Sequence, residues 1–203
     1  SGLEIPTRLH RPKFRKRVAF RIIDLCVDRI LGPPINAFRI ELGLPPIQRA
    51  IGRWFESPQL VLNMFPDWYA QPQPDWPKSC SMAGFSLYDG GTEAPLPAEV
   101  ANFLNDGDPP IVFGPGSPYQ DWRGFYQESM KACLALNHRG ILLGKHTEHL
   151  PRNLPREIRH FDYVPLSLLL PRALAVVHHG GMGTLAQSLA AGIPQLVRPL
   201  CTD

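Results

Sequence analysis

Ala173-Leu-Ala-Val-Val-His-His-Gly-Gly-Met-Gly-Thr-Leu-Ala-Gln-Ser-Leu-Ala-Ala-Gly192 runs from an apolar stretch through a glycine-rich turn into a helical pattern. Ala173–Val177 reads as a buried strand, and Thr184–Ala191 as a helix closed by Gly192. Between them, Gly180, Gly181 and Gly183 let the backbone turn sharply and approach a ligand with no Cβ in the way. The helix that follows offers free N–H groups and the positive end of its dipole, which favour a phosphate. His179 can add an imidazole N–H and Thr184 a hydroxyl. This strand–turn–helix is an anion site suited to a diphosphate, and its form predicts an α/β fold.

Working outward, the pattern repeats. Ile111-Val-Phe113 is a short apolar strand running into Gly114-Pro115-Gly116-Ser117. Trp122, Phe125, Tyr126, Ser129, Ala132, Cys133 and Leu136 form a helical stripe, and Pro97–Asn105 reads as a short helix. Gly140–Leu143 and Ile158–Tyr163 are further strands, Leu166–Leu170 a short helical piece, and Gln195–Val197 a last strand. Strands that alternate with helices and are apolar throughout predict a Rossmann-like parallel sheet covered on both faces. Ligands of such sheets lie beyond the carboxyl ends of the strands. The loops after Phe113, Leu143, Tyr163 and Val177 are therefore the places to look.

Nearer the start the reading changes. Phe14, Val18, Ile22, Leu25, Cys26, Arg29 and Ile30 predict a helix over 14–31, ended by Gly32-Pro33-Pro34. A second short helix is expected over Ile35–Leu42. Gln59–Phe65 reads as a strand, and the proline- and tryptophan-rich Pro66–Pro77 as an extended connector. Trp54, Trp68 and Trp76 suit packing of that connector better than an acceptor or lipid groove.

Composition excludes several classes. Net charge is +3, too small to point to nucleic acid. Its excess sits in Arg8, Arg11, Lys13, Arg15, Lys16 and Arg17, beside Phe14, Val18 and Phe20. That segment suits peripheral contact with anionic lipid or an acidic partner, though a solvated helix start is the plainer reading. No run of eighteen apolar residues and no secretory leader is found, so a cytoplasmic protein, at most peripheral to the inner membrane face, is expected. The chain opens Ser-Gly-Leu and ends Cys201-Thr202-Asp203, so both ends read as cut from something longer. Cys26, Cys80, Cys133 and Cys201 are too scattered for a disulfide framework or a metal knot.

Gly181-Met-Gly-Thr-Leu-Ala186 also matches the GxGxxA dinucleotide fingerprint, with Asp203 some twenty residues on. That fingerprint usually opens its domain, whereas several βα units precede this one, and the paired histidines have no part in NAD binding. His146-x-x-His149 has metal-like spacing but no third ligand nearby, and Thr147-Glu148 reads as solvated loop. Ser117 lacks the GxSxG setting of a hydrolase nucleophile. His178 reads as structural, packed at the strand end.

With those residues in view, Phe161–Asp203 resembles the donor-binding signature of the UDP-glycosyltransferases, the GT-B enzymes of glycosyltransferase family 1. His179 stands at the family's histidine, Thr184 at its Ser/Thr, and Gly192-Ile193-Pro194 at its Gly-Val-Pro. Asp203 falls at the Asp of its Asp-Gln, Tyr163-Val164-Pro165 where the base is cradled, and Gly116-Ser117 at the Gly-Ser after the first strand. The resemblance covers roughly residues 58–203, with bacterial rhamnosyltransferase and sterol-glucosyltransferase types the nearest in texture. It implies that Tyr163 flanks the pyrimidine and that the Val164 backbone reads its edge. It further implies that Gly116, Ser117, His179, Gly181, Gly183 and Thr184 surround the diphosphate, and that Asp203 holds sugar hydroxyls. Gln187 replaces the family's ribose-binding Glu, which puts ribose affinity in doubt.

Residues 1–65 would then be the tail of an acceptor domain, 66–88 the interdomain connector, and 89–203 an incomplete donor domain. The implied chemistry is inverting hexosyl transfer from a UDP- or dTDP-sugar to a hydrophobic or lipid acceptor, with no metal or other cofactor. The catalytic base lies outside this stretch, so no catalytic residue is assigned. An NAD-dependent oxidoreductase and a nucleotide-sugar 2-epimerase are the alternatives.

Overall fold

A computed structural model describes residues 13–48, 57–90, 95–116 and 122–199, with side chains from residue 18 onward. The chain divides between Gly84 and Phe85 into two compact units.

In the first unit, α1 (Lys13–Glu41) is one helix, with Pro33 and Pro34 inside it. The two helices expected on either side of these prolines are thus corrected to one. Each proline removes a backbone donor and crowds the preceding turn. The carboxyl-terminal half is held by a clasp instead. Asn36 donates to the Ile47 carbonyl at 3.0 Å and accepts from the Ile47 N–H at 2.7 Å. Gly43, at φ +69°, then turns the chain away.

Strand β1 (Val61–Asn63) pairs in parallel with β2 (Cys80–Met82), a strand the sequence pattern did not reveal. The residues between them are not an extended connector. Tyr69 and Trp76 donate back to the Pro66 and Gln73 carbonyls, and the Phe65 ring lies between Tyr69 and Trp76 at 5.9 and 6.1 Å. Aromatic burial folds this segment where proline content alone suggested extension. Trp68 meets Tyr69 edge-on and is largely exposed, while Trp54 lies outside the described residues.

The second unit is a five-stranded parallel sheet in the order β5-β4-β3-β6-β7. Its strands are β3 (Ile111–Gly114), β4 (Gly140–Leu143), β5 (Ile158–Phe161), β6 (Ala175–His178) and β7 (Gln195–Val197). The helices are α2 (Ala98–Asn105), α3 (Trp122–Leu136), α4 (Leu166–Leu169) and α5 (Met182–Ala191). Ile111, Val112 and Phe113 are all buried because both faces of their strand are covered. Val112, Ile141 and Val176 look toward a core built with Val100, Leu104, Val164, Leu169 and Leu170. Phe113, Leu142 and Ile158 look the other way, onto Trp122, Phe125, Tyr126 and Cys133 of α3. Each fully buried aliphatic side chain contributes roughly 1.5–3 kcal/mol.

Two chain reversals rest on left-handed residues. Asn137 (φ +52°) ends α3, with the His138 N–H reaching the Cys133 carbonyl at 2.9 Å. Gly192 (φ +68°) ends α5 as expected, and the Ile193 N–H bonds back to Ser188.

Strand order counts outward from β3 to β4 and β5 on one side, and through β6 to β7 on the other. The order therefore reverses between β3 and β6, paired from Ile111↔Ala175 to Gly114↔His178. Open α/β sheets bind ligands in the crevice beyond the strand ends at such a reversal.

Candidate functional site

Beyond the carboxyl ends of β3, β4, β5 and β6 lies a cleft of about 400 Å³. It is lined by Gly114 and Gly116 after β3, Leu143, Gly144, Lys145 and His146 after β4, and Asp162–Val164 after β5. Thr184 of α5, with Trp122, Val112, Val176 and Leu166, completes the lining. Three of the four loops singled out in sequence line it; the turn after Val177 reaches it only through Thr184, and His179, Gly181 and Gly183 are not among its lining residues.

The switch point itself is built around one imidazole. A Cβ on Gly116, which sits at φ +82°, would overlap the His179 ring. A Cβ on Gly181 would stand 2.5 Å from its Nε2. Two loops far apart in sequence thus offer bare backbone to one ring, so glycine is required at both positions. The Nδ1 of His179 is enclosed and has no hydrogen-bond partner among the described residues. A buried polar nitrogen left unmatched costs about 1–3 kcal/mol, which marks this ring as held for something other than stability.

Helix α5 starts two residues sooner than the apolar pattern indicated, at Met182, with Gly181 as its cap. The reason is that Gly183 keeps ordinary helical geometry and has open space where a Cβ would stand. Leu185 is the first residue to bond back, to the Gly181 carbonyl at 3.0 Å. The N–H groups of Met182, Gly183 and Thr184 therefore belong to the first turn, where no intrahelical acceptor exists.

His178, next to His179, plays a different part. It is fully buried, its Nε2 lies 3.0 Å from the Gln195 side-chain oxygen, and its Nδ1 accepts from the Gly180 N–H at 3.2 Å. An accepting Nδ1 fixes a neutral ring with its proton on Nε2. Burial lowers its pKa, with the neighbouring His179 adding to the effect. The ring ties β6 to β7 and to the start of the glycine turn.

Tyr163 lies at the lip, 60% exposed, and its hydroxyl donates to the Asp89 carbonyl. Val164 beside it is buried in the core and also lines the cleft. Gln187 is buried, and its amide donates to the Leu87 carbonyl at 2.6 Å. That bond gives Gln187 a tie to the segment before the sheet, a role the sequence did not suggest. Ser117 and Asp203 lie outside the described residues.

Several lining residues were missed. Lys145 is the one Lys or Arg among the described residues of the cleft, and it follows β4 in a loop with no glycine-rich signature. Gly144, at φ +146°, leaves space filled by Trp122 and Tyr126. The Tyr126 hydroxyl donates to the Leu143 carbonyl at 3.0 Å, and His160 lies 2.6 Å from the Gly144 carbonyl. These contacts fix the β4 loop from below. Nothing in the local sequence announces them, because the partners come from helix α3 and strand β5.

Residues 128–203 match the family described as Erythromycin biosynthesis protein CIII-like, C-terminal domain. Over 172 residues the chain is 34% identical to O-mycaminosyltylonolide 6-deoxyallosyltransferase of Streptomyces fradiae, covering 83% of this chain and 40% of that protein. It is 29% identical over 197 residues to a sterol 3-beta-glucosyltransferase of Arabidopsis thaliana, covering 92% and 30% respectively. Among solved structures, the glycotransferase of kitacinnamycin superposes with a TM-score of 0.63 at 22% identity, over 95% of this chain and 50% of that one. Glycosyltransferase VinC in complex with dTDP gives 0.53 at 24%, over 70% and 34%. The chain thus spans less than half the length of these curated relatives. Sheet order, cleft position and these likenesses agree on the GT-B fold: the chain is similar to part of the carboxyl-terminal half of glycosyltransferases, and its residues 128–203 match the CIII-like C-terminal domain.

Proposed function

We propose that this chain binds the nucleotide diphosphate of a UDP- or dTDP-sugar, for inverting transfer of a hexose or deoxyhexose to a hydroxyl of a hydrophobic acceptor. The observation that carries the reading is the His179 ring, packed against the bare backbone of Gly116 and Gly181 at the point where the strand order reverses. The first turn of α5 and Thr184 would donate to the phosphates, with Lys145 supplying a cation at the lip. As the glycosidic bond breaks, negative charge grows on the departing diphosphate, and fixed N–H donors favour that change. Tyr163, which lines the cleft, would flank the pyrimidine, and the Val164 backbone would read its edge.

The acceptor's proton must go to a base, and none is assigned within these residues. Transfer would need no metal. The parent enzyme is expected to act in the cytoplasm, and the 203-residue chain by itself is expected to show no turnover. Contact with a membrane through the basic start rests on Arg8 to Arg17, whose side chains lie outside the described residues. Among the described residues, no helix is long and apolar enough to cross a membrane. The dinucleotide reading gains no support from the relatives, all of which carry transferase names.

A ligand panel tests the reading. UDP, dTDP, UDP-glucose, dTDP-rhamnose and NAD would each be titrated into the chain by ligand-observed NMR. Saturation transfer to a pyrimidine diphosphate and not to NAD is expected. Transfer to NAD alone would return the site to a dinucleotide enzyme, and hydrolysis or transfer of any sugar by the isolated chain would contradict its expected inactivity.

A further inference from the structure

The loop after β4 gathers three potential metal ligands at the rim of the cleft, of which His146 also lines it. His146 Nδ1 lies 2.9 Å from Glu148 Oε1, and His149 Nε2 lies 3.7 Å from the same oxygen. The ligating atoms of all three side chains fall within 4.8 Å of one another. Sequence spacing offered only the two imidazoles; the fold turns the carboxylate between them. The turn Thr147–His149 is a single 3-10 turn, in which the His149 N–H bonds the His146 carbonyl at 3.2 Å and the Leu150 N–H the Thr147 carbonyl at 3.1 Å. Arg123 of α3 pins it by donating to the Glu148 carbonyl at 3.2 Å, and the His146 ring meets Trp122 edge-on at 4.7 Å. The His149 Nδ1 is enclosed without a partner, so Nε2, which faces Glu148, is the ring's free polar atom.

We propose that His146, Glu148 and His149 form a surface site for a divalent transition-metal ion of the Zn²⁺ class, at the rim of the cleft and apart from the transfer chemistry. Bonds of about 2.0–2.2 Å to imidazole nitrogen and carboxylate oxygen place tetrahedral ligand atoms about 3.4 Å apart. The observed separations of 2.9 and 3.7 Å bracket that value, so small side-chain rotations suffice. Two imidazoles with one carboxylate suit Zn²⁺ or Cu²⁺, whereas Mg²⁺ prefers a shell of oxygens. Solvent completes the coordination, because all three side chains reach the surface.

Calorimetric titration of Zn²⁺ into the full chain tests this, with Mg²⁺ as comparison and circular dichroism to show that each variant is folded. One Zn²⁺ per chain is expected, with Glu148→Gln weakening binding at least about tenfold and His146→Ala/His149→Ala abolishing it. His146 and Glu148 are exposed and His149 is half-buried, which is why circular dichroism accompanies each variant. Failure of the wild-type chain to bind Zn²⁺, equal binding by the folded variants, or equal affinity for Mg²⁺ would each overturn the proposal.

Discussion

The two adjacent histidines of the glycine turn divide the work of the site between them. His179 is held with an unmatched nitrogen between two glycines, while every polar atom of His178 has a partner. The difference follows from position: His178 is the last residue of β6 and fully buried, whereas His179 lies beyond the strand at the start of the glycine turn. Because its Nδ1 accepts a backbone N–H, His178 cannot take up a proton without losing that bond. Its folded-state pKa lies below the ordinary value of 6.5, chiefly through burial. Below that pH the unfolded chain binds a proton that the folded chain refuses, so stability falls as pH drops through this window. Urea denaturation at a series of pH values from neutrality to about 5 is expected to show this fall, and His178→Gln is expected to remove that portion of it. An identical pH dependence in both proteins would mean that the ring is not held neutral.

Among the elements, the segment before the sheet shapes the cleft more than its composition indicates. The Asp89 side chain accepts the Ser167 N–H at 2.7 Å, and so satisfies a donor at the start of α4 from 78 residues away. Its carbonyl receives the Tyr163 hydroxyl, and the nearby Leu87 carbonyl receives the Gln187 amide. Asp89→Ala is expected to lower stability by about 1 kcal/mol, as loss of a helix-end acceptor does, readable as a shift in the urea midpoint at constant slope. The elements carrying apolar period were legible in sequence: β3, β4, α3 and β7 fall within a residue of the expected bounds. Elements held by distant partners were not. Helix α1 continues through Pro33-Pro34 because Asn36 clasps Ile47, and the aromatic turns after Phe65 fold because three rings meet. Neither cause can be seen in a window of ten residues.

Taken as a whole molecule, the second unit places its glycine turn and its first strand loop on opposite sides of a strand-order reversal. Loop chemistry suggested both pieces separately. That they converge on one imidazole depends on sheet order, which follows from which strands pair and not from their composition. The same holds for Glu148, whose carboxylate meets two imidazoles only once the 3-10 turn forms. The central claim is that the His179 ring, set by Gly116 and Gly181, holds a nucleotide diphosphate. The most direct measurement is calorimetric titration of dTDP and UDP into the wild-type chain, His179→Ala and Gly116→Ala. Each variant is predicted to bind at least about tenfold more weakly, since a charge-assisted hydrogen bond contributes roughly 1.5–3 kcal/mol. Gly116→Ala does so with His179 still present, because the new methyl group displaces the ring. Tight diphosphate binding that both folded variants retain would contradict the account.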